Sequence, residues 1–511
     1  MALVTIRDFK GINKDLSIHE MPLEFVSDAS NVRFRDGLAE LFYGEQAVYG
    51  TPSAVPYSLL PVQVGTTRYW LYAGLKKAYC VTGTTHTDLT RAAGDYTGTA
   101  TTGWVGCVIN GFPILTNNTD AVQMWNPVSA TQVLQALTTW PANYKCKSIR
   151  AHKGFLIAVN ITDNTTPYPH RVLWSTQAEP GTVPVTWDVT DLSEDAGQVD
   201  IPGSDHLVDS MTLGQVHLVY GEHSTTMMQA VASNDIFVFQ NMYSQSGILA
   251  KNCVTSLDGA HVVLTPSDVV LITMGGIQSI LDAKTRRWLF QNLDTTNYLL
   301  SFVTQNSYFN EVWVCFPSIG ATSCDTALVY NTKNGAVTFR DLPSIFTAGS
   351  GAVDAATVSA WASDSQAWDD DVSNWNQAEL TPDLQRLVLG GSGPGLWLTD
   401  SSGKFGSGYI AASMERVGLS LGMPGKRKLL RSLRPRMQAP NGTQVSIQLG
   451  AHEDLHGPVT WQAAKTFTVG SGFEVDSFAA GRYLAYRIQT TNAVQWQIDS
   501  IDLDVAVLGD Y

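Results

Sequence analysis

The chain has 511 residues, of which 44% are hydrophobic and only 15% are charged, and its formal net charge is −14. This length exceeds one ordinary hydrophobic core, so two or three domains are expected. An acidic chain lacks the basic footprint of sequence-specific DNA recognition, and 14 Trp and 18 Tyr among many small polar residues favour strands and turns over exposed helices.

The cysteines and the opening segment indicate the folding environment. No Cys-x-x-Cys pair and no nearby histidine cluster occurs, so we expect no zinc site, no cofactor and six reduced, buried thiols. The opening MALVTIRDFKGINKD lacks the apolar core of a signal peptide, and no run approaches the length of a transmembrane helix. We therefore expect folding in a reducing cytoplasm and no membrane-spanning segment.

Residues 1–50 differ in pattern from the rest of the chain. They contain one helix-compatible stretch, Pro22 to Ser30, followed by a strand and a turn at Asp36-Gly37. We interpret this segment as an N-terminal arm that packs on another body and serves assembly. The alternative is a first blade strand with its loop.

Residues 51–415 carry a recurring phrase in which two apolar runs flank a short polar turn. Asn-Gly and related turns between apolar runs are strong hairpin signals, and an irregular repeat of several short strands is typical of a propeller. The fold class predicted is therefore all-β, a β-propeller of six or seven irregular blades. The phrases occupy residues 67–81, 110–125, 152–176, 214–231, 259–280, 309–342 and 384–403.

Two gaps between phrases, 177–206 and 344–383, are longer than ordinary loops. The second is a Trp- and Asp-rich insertion at 345–383, with seven acidic residues, no basic ones, and tryptophans at Trp361, Trp368 and Trp375. Its Ser, Asp and Asn are poor helix formers, so a coiled coil is disfavoured. We predict an aromatic loop that docks on a neighbouring surface. The alternative is that these tryptophans fill a gap between blades.

Residues 416–511 show four or five alternating strands, which predict a C-terminal β-sandwich-like domain. Its first strand is basic and could touch phosphates, pair with an acidic partner surface, or be a solvated interdomain strand. Because the chain is acidic, we favour salt bridges to a neighbouring subunit. The basic residues are Lys426, Arg427, Lys428, Arg431, Arg434 and Arg436.

Motifs that could carry chemistry are weak. Gly418 to Gly422 matches Gly-x-Ser-x-Gly, but Met423-Pro424-Gly425 follows, so a turn is predicted rather than a nucleophile. A propeller glycosidase needs paired acids, yet no spacing singles out a pair among Asp205, Asp209, Asp235, Asp268 and Glu311. Asp369 to Asp371 lack the glycine of a calcium loop, and His452 with His456 lies in a loop-like stretch. No catalytic, cofactor or metal residue is assigned, and we predict that the chain is not an enzyme.

Three regions together resemble the tail nozzle proteins of short-tailed bacteriophages, also called tail tubular protein B or packaged-DNA stabilisation proteins. The opening FKGINKDLSIHEMPLEFVSDASNVRFRDGLAELFYG is similar to the family's N-terminal signature. The loop with three tryptophans resembles the family's Trp-rich loop. The close, LLRSLRPRM…VSIQLGAHED…WQ…GRYLAYRI…WQIDSIDLDV, is similar to its C-terminal β-domain.

The resemblance implies a structural virion protein, assembled in the host bacterial cytoplasm and located at the tail tip. It implies a homohexameric ring that extends the DNA channel, retains the genome and opens for ejection. The partners it implies are other copies of the chain, a tail adaptor or tube protein, fibres or spikes, and passing double-stranded DNA. The alternatives are a propeller glycosidase or glycan-binding tail component acting on host polysaccharide, and a host-encoded ligand-binding propeller.

Overall fold

A computed structural model describes residues 2–64, 67–127, 132–203, 205–231, 236–353, 385–402, 404–405, 408–490 and 495–510. In these ranges the chain forms 43 strands, one α-helix and one short 3-10 helix. The predicted all-β class is confirmed.

The N-terminal segment contains seven short strands. The stretch from Pro22 to Ser30, which was compatible with a helix, forms a turn and two short strands instead, because Phe25–Val26 pairs with Gly11–Ile12 and Asp28–Ser30 pairs with a strand near the C-terminus. Pairing with distant strands overrides local propensity here. The strands are β1 (Ala2–Arg7), β2 (Gly11–Ile12), β3 (Phe25–Val26), β4 (Asp28–Ser30), β5 (Val32–Arg35), β6 (Leu38–Leu41) and β7 (Gly44–Ala47).

The next part of the chain folds into seven units of four antiparallel strands, which we call blades 1 to 7 in chain order. Blades 1 to 5 are separate sheets, whereas blades 6 and 7 belong to one 13-stranded sheet. Blade 1 comprises β8 (Ser58–Val64), β9 (Thr67–Ala73), β10 (Ala78–Thr82) and β11 (Thr85–Asp88). Blade 2 comprises β12 (Val105–Ile109), β13 (Phe112–Thr116), β14 (Gln123–Met124) and β15 (Gln135–Ala136). Blade 3 comprises β16 (Tyr144–His152), β17 (Phe155–Asp163), β18 (Thr166–Trp174) and β19 (Gly197–Asp200). Blade 4 comprises β20 (Leu207–Leu213), β21 (Val216–Gly221), β22 (Thr225–Ala230) and β23 (Phe237–Tyr243). Blade 5 comprises β24 (Val254–Leu257), β25 (Ala260–Leu264), β26 (Val269–Thr273) and β27 (Gly276–Ser279).

Blades 6 and 7 share one long strand. Blade 6 comprises β28 (Phe302–Asn306), β29 (Glu311–Phe316), β30 (Cys324–Asn331) and the first half of β31 (Val337–Ala352). Blade 7 comprises the second half of β31, β32 (Gln385–Gly391), β33 (Gly395–Ser402) and the N-terminal strand β7. The last blade is therefore completed by a strand from the beginning of the chain.

Each of the seven predicted hairpin phrases lies in a different blade, so the hairpin prediction is confirmed. The turns explain why the pattern was readable. Asn110 and Gly111 have φ of 49° and 88°, and Lys153 and Gly154 have 47° and 85°. Two successive positive φ values are what a two-residue turn needs to match the twist of its strands.

Blade 7 packs against blade 1 and closes the ring. A Cβ atom at Gly349 would lie 3.0 Å from the carbonyl oxygen of Leu59, and one at Gly351 would lie 2.6 Å from Cβ of Pro61. Glycine at these positions of β31 allows its close approach to β8. A buried cluster that includes Trp70 and Leu398 fills the same junction. Among the described residues the fold is thus a propeller of seven blades.

Between blades 5 and 6 the chain forms α1 (Ala283–Asn292), which we did not predict, and a 3-10 helix (Tyr298–Leu300). The side chain of Asp282 caps α1 by accepting a hydrogen bond from the Thr285 amide. The ring centroids of Trp288 and Phe339 lie 4.1 Å apart, and this contact holds the helix against blade 6. No helix in the part of the chain described here is long and apolar enough to cross a membrane.

The C-terminal region forms two facing sheets, as a sandwich requires. One contains β41, β37 and β43 with β6, β5 and β1; the other contains β4, β36, β42 and β38 with β39 and β40. Buried Leu433, Leu449, Ile488 and Leu503 belong to its core. The strands are β34 (Lys404–Phe405), β35 (Gly408–Tyr409), β36 (Ala412–Leu419), β37 (Lys426–Gln438), β38 (Gln444–His452), β39 (Thr460–Trp461), β40 (Lys465–Thr468), β41 (Val475–Gly481), β42 (Tyr483–Thr490) and β43 (Gln497–Asp510).

The segment interpreted as an arm, residues 1–50, is paired within this chain. Strands β1 and β6 pair with β43, β4 pairs with β36, and β7 pairs with β33. The alternative of a blade strand therefore describes β7. The boundaries at 50 and 415 divide the sequence, but the sandwich is built from both ends of it.

Candidate functional site: the central channel and its mouth

Residues from all seven blades line a cavity of about 200 Å³ at the centre of the ring. One lining residue from each blade shows the arrangement: Leu59, Gly106, Arg150, Met211, Val254, Val303 and Thr347. Among the lining residues that the structure describes there is no carboxylate. The pair of acids that a propeller glycosidase would place on the axis is therefore not found in this lining.

An ion pair between Arg150 and Asp209 lies beside the channel. The guanidinium donates to both carboxylate oxygens of Asp209, at 3.0 and 2.7 Å, and also to the Gly106 carbonyl oxygen at 3.1 Å and to Oδ1 of Asn252 at 2.9 Å. Ser148 Oγ donates to Asp209 at 2.5 Å. Burial alone would raise the pKa of Asp209, but Arg150 and these hydrogen bonds lower it. The network ties blades 2 to 5 together.

A larger cavity, of about 560 Å³, adjoins the channel and shares Lys251 and Leu299 with it. We call it the mouth. Lys147 and Lys251 of the propeller line it, together with Phe290 and other apolar residues of the helical region. Burial lowers the pKa of Lys251 to about 8 and also lowers that of Lys147.

Three buried histidines form a cluster where blades 3, 4 and 5 meet. His152 Nδ1 and His217 Nδ1 both contact Thr212 Oγ1, at 3.0 and 3.1 Å. His261 Nδ1 contacts Tyr220 Oη at 2.7 Å. Burial lowers the pKa of His152 to about 4, lowers that of His217 well below its usual value, and lowers that of His261. These rings are held neutral, so they serve packing at neutral pH.

The predicted basic interface lies on β37, and the acidic partners expected on a neighbouring subunit are found in this chain. The ion pairs are Arg427 with Glu453 at 2.8 Å, Arg431 with Asp504 at 2.6 Å, Arg434 with Glu474 at 2.8 Å and Arg436 with Asp502 at 3.0 Å. Lys428 is buried and donates to the carbonyl oxygens of Met423 and Lys426. The run therefore neutralises its own sandwich face.

Three exposed apolar side chains border these ion pairs on the outer face of the same sheet. Leu3 is 56% exposed, Phe473 is 73% exposed and Phe478 is 66% exposed. Leu3 lies directly opposite Asp504 in the register of β1 with β43, and the Arg434 guanidinium lies 4.9 Å from the Phe473 ring. We call this surface the outer face. The sequence pattern of β41, with alternating buried and exposed residues, marks Phe478 as outward.

The other predicted positions are dispersed. Trp361, Trp368, Trp375, Asp235 and Asp369 to Asp371 lie outside the described residues, so the docking role of the tryptophans stays a prediction. Asp205 accepts hydrogen bonds from the loop at Ser224, and Asp268 pairs with Arg286 at 3.1 Å. Asp209 pairs with Arg150, and Glu311 belongs to a different ion network. The four candidate acids among the described residues therefore do not lie together at one site.

Glu311 belongs to a buried ion network that sequence reasoning missed. Arg33 of β5 donates to Glu311 at 2.6 Å and to Asp400 at 3.0 Å. Arg340 pairs with Glu45 of β7. Burial raises the pKa of Glu45 to about 7 despite Arg340. The network fastens the N-terminal segment to blades 6 and 7, and no local pattern announces it.

The predicted turn is confirmed, and the prediction of buried cysteines is confirmed for five of the six. The stretch from Gly418 to Gly422 begins in the last two residues of β36 and ends in a turn at Leu421 and Gly422, with positive φ at Gly418, Leu421 and Gly422. Ser420 Oγ donates to the His19 carbonyl oxygen, as a structural turn residue does. All six cysteines are free, and every one but Cys107 is buried.

Comparison with known proteins adds little. No protein-family model and no curated protein matches the chain. Solved structures similar to it include BBS1N in complex with ARL6DN, from crystals soaked with mercury and with lead, at 11% and 10% identity. These alignments cover 70% of this chain and 96% of the other, with TM-scores of 0.38 and 0.39, which is too distant to carry an argument. The class is defined by the chain's own topology, a seven-bladed β-propeller joined to a β-sandwich.

Proposed function

We propose that this chain is a structural virion protein of a short-tailed bacteriophage. In this proposal it forms the distal nozzle ring, a homohexamer that extends the DNA channel, retains the packaged genome and opens for ejection. Its neighbours are the tail adaptor or tube protein and the fibres or spikes. The observation that supports the proposal most is that the two regions carrying the nozzle-like opening and close form one sandwich, through the pairing of β1 and β6 with β43.

The propeller channel constrains how such a ring could conduct DNA. A cavity of about 200 Å³, bordered by the Arg150–Asp209 ion pair, cannot admit a duplex. In a nozzle the DNA would therefore run along the axis of the ring, between subunits. A closed ring needs two unlike patches on each subunit.

The outer face is our candidate for one of these patches. Exposed aromatic side chains beside satisfied ion pairs resemble the apolar centre and polar rim of protein interfaces. Phe478 and Phe473 supply the apolar part, and the pairs of Arg431 and Arg434 supply the rim.

Native mass spectrometry and particle imaging, on the chain alone and mixed with tail components, test the proposal. We expect a closed six-fold ring, or assembly only onto a tail. Phe478→Asp should reduce assembly, whereas Leu192→Asp, at a 97% exposed position of a blade 3 loop, should not. A stable monomer that joins no tail complex would refute the function. Assembly unaffected by Phe478→Asp would refute the outer face as the patch.

A further inference from the structure

The mouth holds two partly buried lysines. Lys147 lies on β16 and Lys251 precedes β24, and both side chains line the cavity of about 560 Å³. This volume falls within the usual range of small-molecule sites, roughly 300–1,000 Å³. The two ammonium groups are near enough for Lys147 to disfavour the charged form of Lys251. Two like charges have thus been placed together in a partly buried pocket.

No carboxylate of the described residues forms a direct ion pair with either ammonium, although Glu222 and Asp209 favour the charged form of Lys147 and Asp209 favours that of Lys251. Lys251 Nζ donates to the carbonyl oxygens of Thr102 and Gly103. Glu222 lines the same cavity, and its carboxylate lies 3.9 Å from His206 Nδ1. Partly buried cations without a directly bonded counter-ion are costly, and natural proteins usually pair them. A bound anion would supply the missing charge.

Most of the other residues that line the mouth are apolar, although Glu222, His223 and two threonines also line it. Ile248 and Leu249 line it from the loop after blade 4, and Phe290 and Leu293 line it from α1 and the residue just beyond it. A purely inorganic anion would leave these side chains without contact. A ligand with one anionic head and an apolar body would contact both the lysines and these apolar side chains.

We propose that the mouth is a binding site for an amphiphilic organic carboxylate. Its carboxylate lies between Lys147 and Lys251, and its hydrocarbon body lies against Phe290 and Leu293. The site belongs to one propeller, so it is independent of ring assembly and of the proposed function. Nothing in the chain's resemblance to nozzle proteins assigns it.

Isothermal titration calorimetry of the full chain with octanoate tests the site, with inorganic phosphate and 1-octanol as the anion-only and apolar-only probes. We expect octanoate to bind more tightly than either. Lys147→Met and Lys251→Met should each weaken octanoate binding at least tenfold, and Lys333→Met, at an exposed turn of blade 6, should leave it unchanged. Thermal unfolding of each variant verifies that the fold is retained.

Proton uptake on binding is a second measurement. A lysine with a purely structural role would not contribute to it. A carboxylate beside Lys251 raises the pKa of its ammonium from about 8, so binding at pH 8 should take up a fraction of a proton. Titrations in buffers of different ionisation enthalpy measure this uptake. The proposal is overturned if octanoate gives no binding heat, if phosphate or 1-octanol binds as well, or if both lysine variants keep the parent affinity.

Discussion

Acid should unfold the propeller through the histidine cluster. The pKa of His152 is lowered from 6.5 to about 4 by burial, so the unfolded chain binds more protons than the folded chain between these values. Stability is therefore complete above about pH 6.5 and falls as the pH drops. At pH 5 the loss from His152 alone is about 2 kcal/mol, and His217 adds to this loss because burial lowers its pKa well below the usual value.

The assay is urea denaturation followed by tryptophan fluorescence at pH 5 to 8, with the parent and His152→Gln. Glu45 has the opposite effect: its folded pKa is raised to about 7, so its contribution is lost as the pH rises through that value. Because Glu45 titrates alike in both proteins, their difference isolates His152. We expect the pH 8 to pH 5 loss in the variant to be smaller by about 2 kcal/mol.

The exposed His456 provides the matched control, and His456→Gln should reproduce the parent's pH dependence. Parallel curves for the parent and His152→Gln would refute the reasoning. They would mean that the His152 ring is hydrated or charged in the folded protein.

Three further outcomes are expected. Arg33→Met should lower the free energy of unfolding by about 3–5 kcal/mol, because it leaves buried carboxylates unpaired. Arg427→Met, at an exposed ion pair, should lower it by under about 1 kcal/mol. Equal urea midpoints for the two variants would contradict this. Gly351→Val should cost about 1–3 kcal/mol or more by forcing blades 7 and 1 apart at Pro61, and an unchanged melting temperature would argue against the ring closure. The native thiols should react slowly with a disulfide reagent, because burial raises their pKa, which for Cys80 is about 11. Rapid reaction of a buried thiol would contradict its packing.

The blades were predictable because their signals are local. A turn such as Asn110-Gly111 and the runs beside it lie within about fifteen residues of one another, so the hairpin can be read without knowing the rest of the fold. The sandwich strands at the C-terminal end were visible for the same reason. So was the turn within Gly418 to Gly422.

The features missed are non-local. Arg33 and Glu311 lie 278 positions apart in the sequence, and Asp400 is farther still. Completion of blade 7 by β7 likewise depends on a strand outside the repeats. The mouth is assembled from loops of different blades, and its lysines are unremarkable in the sequence. The cap at Asp282 was the one local signal for α1, and the apolar runs on either side concealed it.

The pairing of β1 with β43 determines the order in which strands can pair during synthesis of the chain. Residues 2–7 are synthesised nearly five hundred residues before their partners at 500–505. Blade 7 likewise waits for β33 to meet β7. A nascent chain can therefore form its middle blades early but must keep its opening strands unpaired until synthesis nears β43. Any product that ends before β43 lacks the strand with which β1 and β6 pair. It therefore exposes unpaired sheet edges, by which a cell can distinguish it from the full-length protein.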